Sequence, residues 1–442
     1  MYLGEFVSKR ASKSAATALF LIGLFSQTQV RLGAKIGISE AVCCLIAPFL
    51  FINVYRFFKK DGVVLYFWLI ILWFIGACIS DCVNDSFFSQ VIRGISVPIV
   101  IFSVSVCIYN TLRKNPDNLK WLLFGIACSS VLSIFVFQRG SAGDIAADTG
   151  DLTKAAEAIV GYKLFWANMA MTWLTLPIFI WYVKMPLIYS ILTLLGLSVF
   201  NLLTGGRSMF LVTFVSFFLI IFGGKTETTL RLVKKRFVLI IIIVLTIGAG
   251  SKIAYQYAVE KGYMGEEERI KYERQTSRGK DVLSLIMSGR GDFFIGLFAA
   301  LDAPIVGQGS QALDYHGYER DFIGKYGSEQ ETVEYDRNRI RFGAGVRPIR
   351  AHSHIINYWM WHGIFALLFW IYVFYLCVNT IRKRMHFMLE WYGYLATALP
   401  AFFWDFFFSP FGLRVNECTL FCALLILVKM EKDRKRGLLP NM

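Results

Sequence analysis

The chain has 442 residues, of which 56% are hydrophobic and only 17% charged, and its mean hydropathy is +0.53. A water-soluble domain carries about 25% charged residues, so the composition excludes an ordinary soluble fold and points to an all-α, polytopic membrane protein. The formal net charge of +15 would suit nucleic acid, but lysines and arginines collect in the cytoplasmic loops of membrane proteins, and no nucleic-acid partner is expected.

The N-terminus MYLGEFVSKRASK is basic, and the apolar run behind it has no A-x-A-like exit, so no cleavable signal peptide is expected. Stretches long enough to span a bilayer, about 17–25 residues, fall near 15–32, 38–57, 63–80, 87–110, 119–137, 164–183, 186–204, 207–223, 237–256, 354–380, 387–405 and 411–430. They predict about 12 transmembrane helices. The N-terminus, YRFFKKDG, LRKNPDNLK, GGKTETTLRLVKKR, IRKRMH and the tail KMEKDRKRG are basic and fall on one side. The positive-inside rule makes that side the cytoplasm, with both termini there.

The opposite side receives SDCVNDS, the acidic stretch GDIAADTGDLTKAAEA, TGGR, SPFGLR and one long segment, 252–353. That segment holds fifteen Lys/Arg and fifteen Asp/Glu, a neutral balance that agrees with the span count. It is too long for a connector, and DVLSLIMSGRGDFFIGLFAALDAP within it reads as a helix, so a partly helical cap is expected. The chain thus divides into helices 1 to 9 (1–251), a large external loop (252–353), and three further helices with a basic tail (354–442). No internal repeat is visible, which weighs against an inverted-repeat transporter. The nine cysteines lie in or beside apolar segments, and the i,i+4 pairs Cys78/Cys82 and Cys418/Cys422 read as small packing residues. Neither a disulfide framework nor a metal site is expected.

Three ionisable residues share the expected external face: Arg207 in LTGGRSMF, Arg290 in SGRGDFF and His352 in RAHSHII. Each alone reads equally as a snorkelling or interfacial residue. Together they suit a phosphate-rich ligand, because a guanidinium grips phosphate oxygens in a fork and glycine lets the backbone come close. A histidine nearby supplies a proton acceptor. Arg347 and Arg350, with Arg339 and Arg341, form a basic rim that either guides an anionic ligand or pairs with Glu331, Glu334 and Asp336, and pairing is the favoured reading. Asn168, at a span mouth, is read as an interhelical hydrogen bond or a ligand contact. Arg93, inside the apolar run VIRGISVP, is a candidate to face a polar cavity. The second histidine, His354, is the alternative to His352, and His316, His362 and His386 show no partner pattern.

The ordered set LTGGRS, SGRGDFFIGLFAALDAPIVGQGS, HSHIINYWMWHGIFALLFW and FFSPFG resembles the O-antigen polymerase and ligase superfamily, bacterial inner-membrane glycosyltransferases of the GT-C type. The resemblance covers about 160–430. It assigns the motif positions to Arg207, to Arg290 with Gly307 and Gly309, and to His352-Ser353 with Gly363; Ile356 stands where the family usually has leucine. It implies a glycan donor on undecaprenyl pyrophosphate, no cofactor and no required metal. The acceptor it implies is a second lipid-linked glycan for a polymerase, or lipid A–core for a ligase. Whether a chain-length regulator sits beside the protein stays open. Polymerase is the favoured reading, ligase the alternative, and a lipid-linked-glycan flippase or transporter the more remote one.

Overall fold

The computed structural model describes residues 2–32, 34–135, 169–203, 207–223, 257, 259, 261–263, 269, 272, 291–326, 348–349, 351–408 and 414–438. In these residues the chain is helical, apart from one short hairpin. The helices are α1 (Tyr2–Leu24), α2 (Ile38–Asp61), α3 (Val64–Val83), α4 (Phe88–Lys114) and α5 (Leu119–Phe135). They continue with α6 (Met169–Trp181), α7 (Leu187–Leu203), α8 (Arg207–Gly223), α9 (Gly291–Asp302) and α10 (Tyr318–Tyr326). The last three are α11 (His354–Asn379), α12 (Tyr392–Phe408) and α13 (Arg414–Lys435). Strands β1 (Gln29–Leu32) and β2 (Ala34–Gly37) pair antiparallel, with Gln29 opposite Gly37. Five helical stretches are long and apolar enough to cross a membrane: Ile38–Asp61, Val64–Val83, Phe88–Lys114, Pro116–Phe135 and His354–Arg384. Hydrocarbon offers the backbone no hydrogen-bond partner, so long apolar runs such as VLYFWLIILWFIGACISDCV close their bonds within one helix.

The expected first span, 15–32, is corrected by the structure: α1 ends at Leu24 and the chain enters the hairpin. The expected span at 237–256 lies outside the described residues. Residues 186–223 form two separate helices, α7 and α8.

α1 packs on α5, α2 and α13 on α4, α7 and α12 on α8, and α3 and α9 on α11. Aromatic rings fill the centre. Trp370 of α11 lies 5.6 Å from Tyr358, 6.5 Å from Phe402, 6.1 Å from Phe406 and 6.2 Å from Phe421, between ring centroids. Buried rings of this kind add geometric preference to a large apolar area.

Charge gathers at one end of the bundle. There Asp61 closes α2, accepts from the Tyr109 hydroxyl at 2.9 Å and pairs with Arg113 at the end of α4. At the same end Lys432 donates to the Lys59 carbonyl at 3.2 Å, and Glu431 pairs with Arg384 at 2.7 Å and with Lys435 at 2.8 Å. Burial alone would raise the Glu431 carboxyl, but the hydrogen bonds from Lys435 and Arg384 outweigh it and hold the group below the usual carboxylate range.

The opposite end is organised by a break in α11. Gly363 has φ 63 and ψ −153, which no helix contains and which a side chain resists. The break frees groups that a continuous helix would have paired, and buried backbone groups have to find partners. The loop after α9 supplies them. Ile364 N–H donates to the Ile305 carbonyl at 3.1 Å; in return Gln308 N–H donates to the Met360 carbonyl at 2.7 Å and Gly309 N–H to the Trp361 carbonyl at 3.1 Å. Gly307 and Gly309 are both at positive φ (86 and 84); Gly307 lets the loop pass backbone to backbone against α11, and Gly309 lets it pass the side chains of Asn84 and Ser86 at the end of α3. The motif glycines Gly307, Gly309 and Gly363 therefore meet at one junction.

Gly363→Ala is expected to lower the thermal stability of the detergent-solubilised protein, since the conformation alone costs about 1–3 kcal/mol for a residue with a Cβ and that Cβ would run into the Ile305 carbonyl. An unchanged unfolding midpoint would mean that the break does not constrain the fold.

Candidate functional site

Four side chains form a fully buried polar chain just beneath this junction. Trp73 of α3 donates its Nε1–H to His362 Nδ1 at 2.8 Å. Indole is a donor only, so a neutral His362 carries its ring proton on Nε2, which lies 3.0 Å from Ser310 Oγ. Ser310 then donates its hydroxyl to Asp81 Oδ2 at 2.7 Å, and its own N–H goes to Asp81 Oδ1 at 2.6 Å. Alongside, the Ser80 hydroxyl donates to the Trp361 carbonyl at 2.7 Å, and Asn84 donates to the Gly307 carbonyl at 3.1 Å.

An aspartate, a serine and a histidine in contact invite comparison with a hydrolase triad, but the polarity is reversed. In a triad the serine gives its proton to the histidine and the histidine is held by the carboxylate. Here the serine hydroxyl donates a hydrogen bond to the carboxylate and the histidine acts as donor, so no base on the histidine is free to take the Ser310 proton and the serine is not activated as in a triad. The group is a latch that fastens the loop to α3 and α11. α4 also closes on it: a Cβ at Gly94 would overlap Ser310 Oγ.

The latch sets the position of α9. Its Gly296 lies against Ala351, so closely that a Cβ at position 296 would overlap the alanine methyl. One turn earlier on α9, Asp292 reaches the residue after Ala351: His352 Nε2 stands 3.1 Å from Asp292 Oδ2, with the two side chains 46% and 39% exposed. Ser353 caps α11, accepting from Ile356 N–H at 3.3 Å while donating to the Phe406 carbonyl at 2.8 Å.

The two histidines of RAHSHII have opposite surroundings. His352 is open to solvent, whereas His354 is 2% exposed, with Nε2 2.8 Å from Glu417 Oε1 of α13 and its ring stacked 5.2 Å from Trp370. His354 belongs to the core and presents no surface to a substrate.

Arg93 is exposed on the second turn of α4 and donates to Gln311 Oε1 at 3.3 Å, so it flanks the latched loop. Arg207 is the first residue of α8. Arg290, immediately before α9, and Asn168, Arg347 and Arg350 lie outside the described residues, as do Arg339, Arg341, Glu331, Glu334 and Asp336. Ile349, between the two rim arginines Arg347 and Arg350, donates its N–H to the Ala312 carbonyl at 2.8 Å. That ties the start of the re-entering chain to the same loop.

A cavity of about 280 Å³ opens between α5, α6, α7, α8, α12 and α13. Met209, Val212 and Ser216, on the turns that follow Arg207, form one wall; Phe402, Asp405 and Glu417 form another. Several hydroxyls in the lining, such as Thr213 and Ser216, donate to carbonyls of their own helix at 2.7 Å and leave only lone pairs toward the space. Among the described residues no group of three or more His, Cys, Asp or Glu side chains is arranged to hold a metal ion.

His362, Asp81 and Ser310 were not recognised from sequence. The usable signal was the cost of the setting: an acid at the end of an apolar span and a histidine inside one both need a buried partner. No known protein family, no curated protein and no solved structure matches the chain. The helices and the site define the class, a helical membrane protein, and the chemistry rests on the residues themselves.

Ser310→Ala removes the hydroxyl that joins Asp81 to His362 and is expected to cost about 1–3 kcal/mol, the penalty for buried polar groups left unsatisfied. Thermal unfolding in detergent measures it; a change under about 0.5 kcal/mol, the range of a surface substitution, would show that the latch does not hold the loop.

Proposed function

We propose that the protein is a glycosyltransferase of the O-antigen polymerase and ligase type. It joins lipid-pyrophosphate-linked oligosaccharides on the periplasmic face of a bacterial inner membrane, and its preferred role is polymerisation of repeat units. In this reading about twelve helices span the bilayer, the basic end of the bundle is cytoplasmic with both termini, and 252–353 caps the periplasmic end. The single observation that carries it is the His352–Asp292 pair, exposed at the end of the bundle remote from the basic loops and beside the first turn of α11.

The pair has the geometry of an oriented general base. Asp292 Oδ2 faces Nε2 and accepts a hydrogen bond from its N–H, which leaves Nδ1 as the open proton acceptor; the carboxylate also stabilises the imidazolium once it forms. A sugar hydroxyl of the acceptor loses its proton to His352 and attacks the anomeric carbon of the donor. The bond from that carbon to the pyrophosphate oxygen breaks, and undecaprenyl pyrophosphate leaves with the electron pair. A single displacement of this kind inverts the anomeric centre. Arg207 and Arg290 hold the departing charge, and Arg207 is helped by its place at the positive end of α8. Arg93, Asn168, Arg347 and Arg350 complete the proposed set of substrate contacts; the burial of His354 removes it from that set and favours His352 as the base. The cavity beside α8 takes only the start of the donor's lipid tail, the rest of which lies in the bilayer. The energy comes from the donor bond, so the reaction calls for neither nucleotide nor cofactor.

Surface glycan from a strain lacking the protein, complemented with wild type, His352→Ala or Asp292→Asn, tests this on a gel. Wild type is expected to restore a ladder. His352→Ala loses roughly 10²–10⁴-fold of the rate, the usual worth of a general base, and leaves core bearing a single repeat; Asp292→Asn falls between. Bare core with long chains stranded on the lipid carrier would make the protein a ligase. An unchanged ladder in the deletion strain would contradict both and favour a transporter.

A further inference from the structure

At the basic end of the bundle the charged side chains fall into two groups. Around α4, α11 and α13 several are paired, Asp61 with Arg113, Arg384 with Glu431, and Lys429 with Asp433 at 2.7 Å, while others among the described residues, such as Lys114, Arg382 and Lys383, stand singly on the surface. A second group lines one shared pocket of about 200 Å³. This pocket lies between the start of α5, the turn that follows α6 and the segment that leads into α12. Its rim carries two cations, Lys120 and Lys184, and two anions, Asp117 and Glu390. All four are exposed, and among the described residues none of them forms an ion pair within the 4.0 Å reach of a salt bridge.

The location is as informative as the charge. Lys120 is the second residue of α5 and Lys184 follows α6 by three residues, so both stand where apolar helices end. Trp181, half exposed, and Trp391, buried, supply aromatic faces to the same pocket. Tryptophan and lysine at helix ends mark headgroup depth in a bilayer. A lysine there can reach water by itself, which accounts for one cation but not for two cations and two carboxylates lining one space.

We propose that this pocket binds the headgroup of one phospholipid carrying both a phosphate and a primary ammonium, a phosphatidylethanolamine-type lipid. Lys120 and Lys184 hold the phosphate and Asp117 and Glu390 accept from the ammonium, each a charge-assisted hydrogen bond. The acyl chains leave past Trp181 toward the hydrocarbon. A purely anionic headgroup is a poorer match: sites that read one by charge gather four to eight Lys/Arg, whereas this rim is electrically balanced. The proposal rests on the chain being a membrane protein and is independent of glycosyl transfer.

The test is native mass spectrometry of the full-length protein released from nanodiscs that contain phosphatidylethanolamine, phosphatidylcholine and phosphatidylglycerol in equal amounts. Wild type is expected to keep one phosphatidylethanolamine in preference to phosphatidylcholine, whose trimethylated ammonium has no N–H to donate. The double variant Lys120→Ala/Lys184→Ala is expected to lose retained lipid by about tenfold. Asp117→Asn/Glu390→Gln is expected to keep binding lipid while the preference over phosphatidylcholine disappears. Because the four side chains are exposed, the variants should elute and melt like wild type, which is checked on the same samples. Equal retention of the three lipids by wild type would overturn the proposal, as would unchanged selectivity in both variants. A bound mass of phosphate or phosphoethanolamine without acyl chains would overturn the assignment to a lipid.

Discussion

The architecture of the histidine-bearing end depends on one exchange of hydrogen bonds. α11 breaks at Gly363, and the loop after α9 takes over the partners that the break releases. A loop held only by backbone contacts could slide along the helix. The buried chain Trp73–His362–Ser310–Asp81 prevents this, because each member has one geometry in which its donor meets the next acceptor. The loop is thereby locked to α3, α4 and α11 together, and α9 follows it. His352 faces Asp292 because Gly296 and Ala351 are pressed together one turn away. A buried latch thus sets the geometry of an exposed pair.

The same constraint explains why the two histidines of RAHSHII, two residues apart, differ so completely. Ser353 between them is the helix cap and bonds back to α12 through Phe406. His352 precedes the cap and remains outside. His354 enters the first turn and is turned into the aromatic core, against Trp370 and Glu417. Sequence alone left the choice between them open, since both flank the same serine.

Much of the fold was legible because its signal is local. The apolar runs at 38–57, 63–80, 87–110 and 119–137 correspond to α2, α3, α4 and α5 within a few residues, as expected when a helix must satisfy its own backbone in hydrocarbon. The first span was misjudged at its end because the apolar run stops at Phe25; in SQTQVRL polar and apolar residues alternate over the last four, a pattern that suits a strand, before Gly37 and a new helix start. The site was legible only in part. Glycines 307, 309 and 363 were singled out by resemblance, and the structure gives them a physical task. The latch was not foreseen: Asp81 and His362 are 281 residues apart, and Ser310 is an ordinary polar residue until the loop is docked. Pairings of that kind are made by tertiary packing and leave no spacing to read.

The most direct test of the account is reconstitution. Purified protein in liposomes is supplied with an oligosaccharide repeat on undecaprenyl pyrophosphate, without nucleotide and with a chelator present, and products are followed by mass. Glycans lengthened by whole repeats are expected, with one free undecaprenyl pyrophosphate released for each repeat added, and the His352→Ala protein slower by roughly 10²–10⁴-fold. Intact donor recovered from active-site-competent, correctly folded wild type, with no lengthened glycan on any lipid acceptor, would contradict the account.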